Sequence, residues 1–178
     1  MQLDLKTGRF LGQAPQSVRR LGEIAEIFAT PPLIEDDPIV YETYGCPAEV
    51  EGEAQMLYAT TILYPGQVGD EYYMTRGHFH KRQDRGEFML TLAGEGALIL
   101  MDRAGETRLE LLSPGTTVHI EGTDAHRVAN TGTEPLVFIV TWMSDCGHDY
   151  ETIRKHGFAG RLVKRDNCPE LVPSENLG

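Results

Sequence analysis

Cysteine is scarce and unpaired in this chain. Cys46, Cys146 and Cys168 are the only three, widely separated and with no CxxC. An odd, scattered set fits reduced thiols in a cytoplasmic protein, and it excludes a disulfide scaffold or a thiolate metal cluster. Positive charge is also short: 16 Lys and Arg stand against 27 Asp and Glu, a net charge of −11. A mean field of that sign repels phosphate, which excludes a general nucleic-acid or anionic-membrane binder. No apolar run is long enough to span a bilayer. The first residues, with Asp4, Lys6 and Arg9 among them, lack the apolar stretch of a secretory signal. No repeat or low-complexity linker interrupts the 178 residues, so one domain with a sizeable core is the simplest organisation.

What the sequence does contain is a succession of short β-rich runs punctuated by glycine and proline. Val18, Leu21, Ile24, Ala25 and Phe28 form an apolar stripe that predicts a first helix over residues 15–29, stopped by Pro31 and Pro32. From residue 39 onward the pattern predicts strands over 40–44, 56–64, 71–80, 86–92, 97–102, 107–112, 116–120, 126–129 and 136–143. Residues 148–156 predict a short helix stopped by Gly157, with Arg154, Lys155 and His156 in its last turn. Leu162 and Val163 suit one more strand, and the polar stretch 166–178 reads as a loose tail. Strands at this spacing leave no room for crossover helices. They mean an all-β sandwich or barrel at 39–165, with the helical segment 1–38 packed outside it.

Gly77-His78-Phe79-His80 carries the chemistry. On an extended strand, residues two apart share a face, so His78 and His80 enter one space while Phe79 points away. Glu87 follows a short polar turn and opens the next strand, which returns a carboxylate to the same region. His126, just after a loop, is the candidate fourth member. His119 is its rival, although its place inside a strand suits a core or surface histidine. Three imidazoles and one carboxylate suit a divalent first-row ion such as iron, manganese, nickel, cobalt or zinc. Four protein ligands leave positions open on a six-coordinate ion, as a catalytic site requires. Arg76, Lys81, Arg82, Arg85 and Arg127 form a basic rim beside this cluster, suited to an anionic substrate. Thr61, Thr75 and the backbone at Gly77 are either phosphate contacts or ordinary strand positions.

Gly77-His78-Phe79-His80, Glu87, Gly94, Gly115, His126 and Asn130 together resemble the two metal motifs of the cupin superfamily. The six-residue interval between His80 and Glu87 is longer than in most cupins. With residues 60–66 before it and Gly147-His148-Asp149-Tyr150 after it, the pattern looks like the cupin-type phosphoglucose isomerases. The resemblance implies a cupin jelly-roll β-barrel and a homodimeric enzyme. That enzyme would interconvert glucose 6-phosphate and fructose 6-phosphate with one divalent ion per subunit, Fe2+ first among the candidates. It places the metal ligands on His78, His80, Glu87 and His126. Phosphate and sugar contacts fall near Tyr44, Thr61, Thr75, Gly77, His148 and Tyr150, with Glu87 and His148 as catalytic groups. His148 is either a titrating phosphate contact or a cap for the following helix. The chain departs from the family's pattern at Met89, at residues 121–124 and at Trp142, all close to the expected sugar. A cupin Fe(II) dioxygenase and a non-catalytic sugar-binding cupin are the competing expectations.

Overall fold

The computed structural model describes residues 2–45 and 54–174; Cys46 and the end of the expected tail lie outside them. Its strands are, in order, β1 (Ser17–Arg20), β2 (Ile39–Gly45), β3 (Met56–Leu63), β4 (Gln67–Val68), β5 (Glu71–Tyr72), β6 (Phe79–His80), β7 (Glu87–Ala93) and β8 (Gly96–Met101). There follow β9 (Thr107–Leu112), β10 (Thr117–Ile120), β11 (Ala125–Asn130), β12 (Leu136–Met143), β13 (His148–Asp149), helix α1 (Tyr150–His156), β14 (Gly160–Arg165) and β15 (Cys168–Pro173). A six-stranded antiparallel sheet in the order β1-β2-β3-β12-β7-β10 lies against a three-stranded sheet, β11-β8-β9. A β13-β6 pair and a β15-β14-β5-β4 sheet complete the walls of a jelly-roll barrel.

The core is what the strand alternation demands. Val40, Leu63, Met89, Leu98, Leu100, Ile120 and Leu136 are buried between the sheets, and Met74 and Leu162 join them. All six residues of β8 are buried, which is why that strand reads as a continuous apolar run and not as an alternation. The opposite face of the large sheet buries Phe10, Tyr44, Ile62 and Val137 as a second cluster.

Two expected features at the ends of the chain are different in the structure. Residues 15–29 do not form one helix: Ser17–Arg20 pairs antiparallel with β2, and only Leu21–Ile27 coils, as a 3-10 segment. Leu21 and Ile24 are buried, and their spacing of three satisfies a 3-10 turn as well as an α-helix. The exposed edge of β2 captured the residues before them. The described part of the stretch after Asp166 is not loose either. Cys168–Pro173 pairs along its length with β14, across a turn in which Asp166 and Asn167 both have positive φ, 49° and 62°. Asp-Asn suits such a two-residue hairpin turn, because short polar side chains tolerate the left-handed region.

Candidate functional site

Strand register assembles the site. His78 pairs antiparallel with His126, each backbone N–H donating to the other's carbonyl, at 3.3 and 3.1 Å. His80 stands opposite His148 in an antiparallel pair, held by the adjacent bond from Lys81 N–H to the Gly147 carbonyl at 3.1 Å. Residues directly opposite one another share a face, and so do residues two apart. Four imidazoles therefore reach one space from three chain segments. Their ring centroids lie 4.5 Å apart for His78–His126, 4.4 Å for His78–His148 and 5.3 Å for His80–His126. Glu87 enters from the large sheet, where it is paired with Trp142. Its carboxylate oxygens lie 3.6 Å from His80 Nε2 and 3.8 Å from His126 Nε2.

Gly77 permits this approach. Its φ is +77°, and a Cβ there would sit 2.9 Å from the His126 carbonyl oxygen and from Arg127 Cβ. Gly77→Ala is therefore expected to cost about 1–3 kcal/mol of stability through backbone strain. It should also part the His78–His126 bridge. A denaturation curve measures the first effect and metal retention the second.

The ligand atoms of His78, His80, Glu87 and His126 lie within 4.8 Å of one another, so the four could hold a metal ion. Two atoms each roughly 2.1 Å from a common ion lie no more than about 4.2 Å apart, and the two carboxylate–imidazole distances satisfy that limit. The Nε2 atoms of His78, His80 and His126 are all buried without a hydrogen-bond partner. Buried polar atoms are rarely left so. The opposite ring nitrogen explains which way two of them face. His80 Nδ1 donates to the Arg85 carbonyl at 2.6 Å, and His126 Nδ1 lies 3.4 Å from that of Asp124. With the proton on Nδ1, each ring turns its Nε2 lone pair toward the cluster.

Burial favours the neutral form of three of the four imidazoles, and His80 is the exception. Burial, and then the neighbouring rings His126, His148 and His80, holds His78 well below the usual histidine range. Burial also lowers His126 and His148, with Glu87 opposing it in each case. Burial works against charge on His80 too, but Glu87 and the Arg85 carbonyl outweigh it and hold that ring up. Burial pushes the Cys146 thiol up to about 11, so it is no thiolate.

The cluster opens into a cavity of about 230 Å³. Thr61, Thr75, Gly77, His148 and Tyr150 line it as expected, and Trp142 and Met89 also face it. Tyr44 does not line it. The inner face of β2 carries Tyr41 and Thr43, so Tyr44 must point outward, where its hydroxyl donates to Glu42 at 3.2 Å. Tyr41 and Thr43 were missed in the sequence. Their alternation along β2 was legible, but nothing in it told the inner face from the outer. Thr43 lies directly opposite Thr61. Thr75 Oγ1 also accepts from Val128 N at 3.0 Å.

Three other expectations resolve here. His119 is exposed, with Glu121 3.6 Å away, and takes no part in the cluster. Asp149 caps α1 by accepting from Thr152 N at 3.1 Å, which leaves His148 free to face the cavity; its lowered pKa makes it a neutral group there. The basic rim is much reduced. Arg82 pairs with Asp84 and Asp145, and so does Arg85. Only Arg76 and Arg127 of the five line the cavity.

With this geometry in place, the relatives are informative. A sequence model of glucose-6-phosphate isomerase matches residues 23–171. The chain belongs to the glucose-6-phosphate isomerase family. Thermococcus litoralis glucose-6-phosphate isomerase is 40% identical over 179 residues, covering 94% of this chain and 93% of that protein. The Pyrococcus abyssi enzyme is 41% identical over 97% of this chain and 93% of its own. The family extends to a bacterial relative from Sinorhizobium medicae, 32% identical over 88% of this chain and 75% of that one. A solved oxalate decarboxylase structure shares the fold, with a TM-score of 0.52 at 19% identity, over 77% of this chain and 29% of the decarboxylase. The family match agrees with the cupin resemblance read from Gly77–His80, Glu87 and His126. No helix among the described residues is long and apolar enough to cross a membrane.

Proposed function

We infer that the chain interconverts glucose 6-phosphate and fructose 6-phosphate in the cytoplasm, as a homodimer, with one divalent ion per subunit held by His78, His80, Glu87 and His126. The observation that carries the metal is the set of three buried, unpartnered Nε2 atoms around one carboxylate. The donor set suits Fe2+, and it suits Mn2+, Ni2+, Co2+ and Zn2+ as well. When bound, such an ion supplies Lewis-acid stabilisation of negative charge on adjacent sugar oxygens.

The chain's own residues supply the rest. Aldose–ketose isomerisation moves a proton from C2 to C1 and a second from O2 to O1. A Glu87 carboxylate oxygen is the group that takes the carbon proton and returns it one carbon away. His148, neutral at pH 7, and the Tyr150 hydroxyl orient the sugar. Thr61 and Thr75, with the backbone at Gly77, receive the phosphate, whose binding energy positions a chain that reacts some distance away. The half-buried walls around Trp142 and the apolar floor at Leu98, Ile120 and Phe138 exclude water from the reacting carbons.

That apolar floor would also suit an iron dioxygenase, and the neutralised rim no longer argues against one. Two assays on the purified protein separate the readings: coupled isomerisation of fructose 6-phosphate, and oxygen uptake after loading with ferrous iron. Isomerase turnover without oxygen uptake is the expected result. Oxygen uptake without isomerisation would overturn it.

A further inference from the structure

Behind the wall that carries Arg76 and Arg127 lies a second cavity of about 190 Å³. It is formed by the end of the 3-10 segment, the last turn of α1 and the start of β14. Arg76, Arg127, Arg154, Lys155 and Arg161 line it against one carboxylate, Glu26. Arg76 already occupies that carboxylate at 3.2 Å. In a chain of net charge −11, five cations around one void need a reason.

The arginines are incompletely satisfied. The Nε atoms of Arg76, Arg127 and Arg161 are all buried and without a partner. Arg127 is only 6% exposed. Its guanidinium lies 4.0 Å over the Phe158 ring, and its terminal nitrogens donate to the Met74 sulfur, a weak acceptor, and to the Arg76 carbonyl. Arg161 lies 3.8 Å from Glu71, but that carboxylate already accepts from Ala29 N at 2.7 Å. Unmade hydrogen bonds from buried charged donors are costly, and an acceptor with several oxygens would relieve the cost. The carbonyl end of α1 adjoins the cavity and disfavours an anion, but Arg154 and Lys155 in its last turn offset this.

We propose that this cavity binds a small phosphate-bearing anion, inorganic phosphate or a compact phosphate ester, at a site separate from the one where the sugar reacts. Arg76 and Arg127 line both cavities, so anions on the two sides draw on the same guanidiniums. Occupancy of the second site raises KM for the phosphosugar and leaves kcat unchanged, a reciprocal coupling. The coupling rests on the isomerase reading; the binding does not.

Calorimetric titration with inorganic phosphate, and separately with glycerol 3-phosphate, tests the binding without reference to turnover. Wild-type protein is expected to show an event that weakens by about tenfold or more when Arg154→Gln and Lys155→Gln are combined. Both side chains are exposed, so the protein should stay folded, with only the small drop in melting temperature that loss of two last-turn cations costs a helix. Thr61→Val, on the catalytic side, should leave that event in place. Binding unaffected by the double substitution, or lost only with Thr61→Val, would overturn the proposal. If phosphate alone binds, the occupant is the free ion; binding of both probes extends it to the ester.

Discussion

His126→Ala is expected to lower isomerase turnover by at least about 100-fold and to leave the protein folded. Partners that merely orient a metal ligand are worth roughly 10–100-fold in affinity or activity, and His126 is proposed as a ligand itself. Its position explains why the fold should survive. His126 is buried, its Nε2 has no partner, and the bridge to His78 is made by backbone groups that alanine retains. Removing a desolvated, unpartnered nitrogen offsets much of the lost packing. Metal analysis and a melting curve accompany the assay. An unfolded variant would show that the imidazole is structural, and full metal occupancy would show that the fourth ligand lies elsewhere.

The second large effect is expected at Glu87. Glu87→Gln keeps the volume of the side chain and removes its capacity to accept a proton, so turnover should fall by about 10²–10⁴-fold. The carboxamide is also a poorer metal ligand, and the variant is therefore assayed at saturating metal. Isotope incorporation gives an independent reading in the wild-type enzyme. With Glu87 carrying the proton, product formed in deuterated water contains solvent deuterium at the carbon that received it. Product with no deuterium on either C1 or C2 would favour direct transfer between the two carbons over a solvent-exchanging base. Glu87 would then be a ligand and not a base.

Much of this site was legible in the sequence because strand geometry is periodic. His78-Phe79-His80 places two rings on one face whatever the details of pairing, and Glu87 follows within the length of a turn. His126 was preferred over His119 for its place beside a loop. The structure brings His126 beside His78 by a residue-for-residue bridge that no single sequence displays, and leaves His119 exposed. Tyr44 was misplaced for the complementary reason. On β2, apolar and hydroxyl residues occur on both faces, because the N-terminal segment covers the outer one with Phe10. With both sides buried, alternation loses its polarity signal. The basic rim failed because charge along a chain is not charge in space. Asp145, distant from Arg85 in sequence, bonds it at two points, 3.0 Å each.

The ends of the chain were misread where pairing overrode local preference. Ser17–Arg20 has helical periodicity when joined to Leu21–Ile27, yet the free edge of β2 offers four ladder partners. Cys168–Pro173 is short and polar at its start, and its strand character comes from β14 beside it. Neither edge exists until the barrel forms.

Metal stoichiometry measured together with turnover tests the central claim most directly. The purified protein is stripped with a chelator, then titrated with ferrous or another divalent ion, while bound metal per chain and fructose 6-phosphate isomerisation are followed in parallel. The rate is predicted to rise in proportion to bound metal and to stop rising at one ion per chain. Full isomerase activity in the stripped protein would contradict the account.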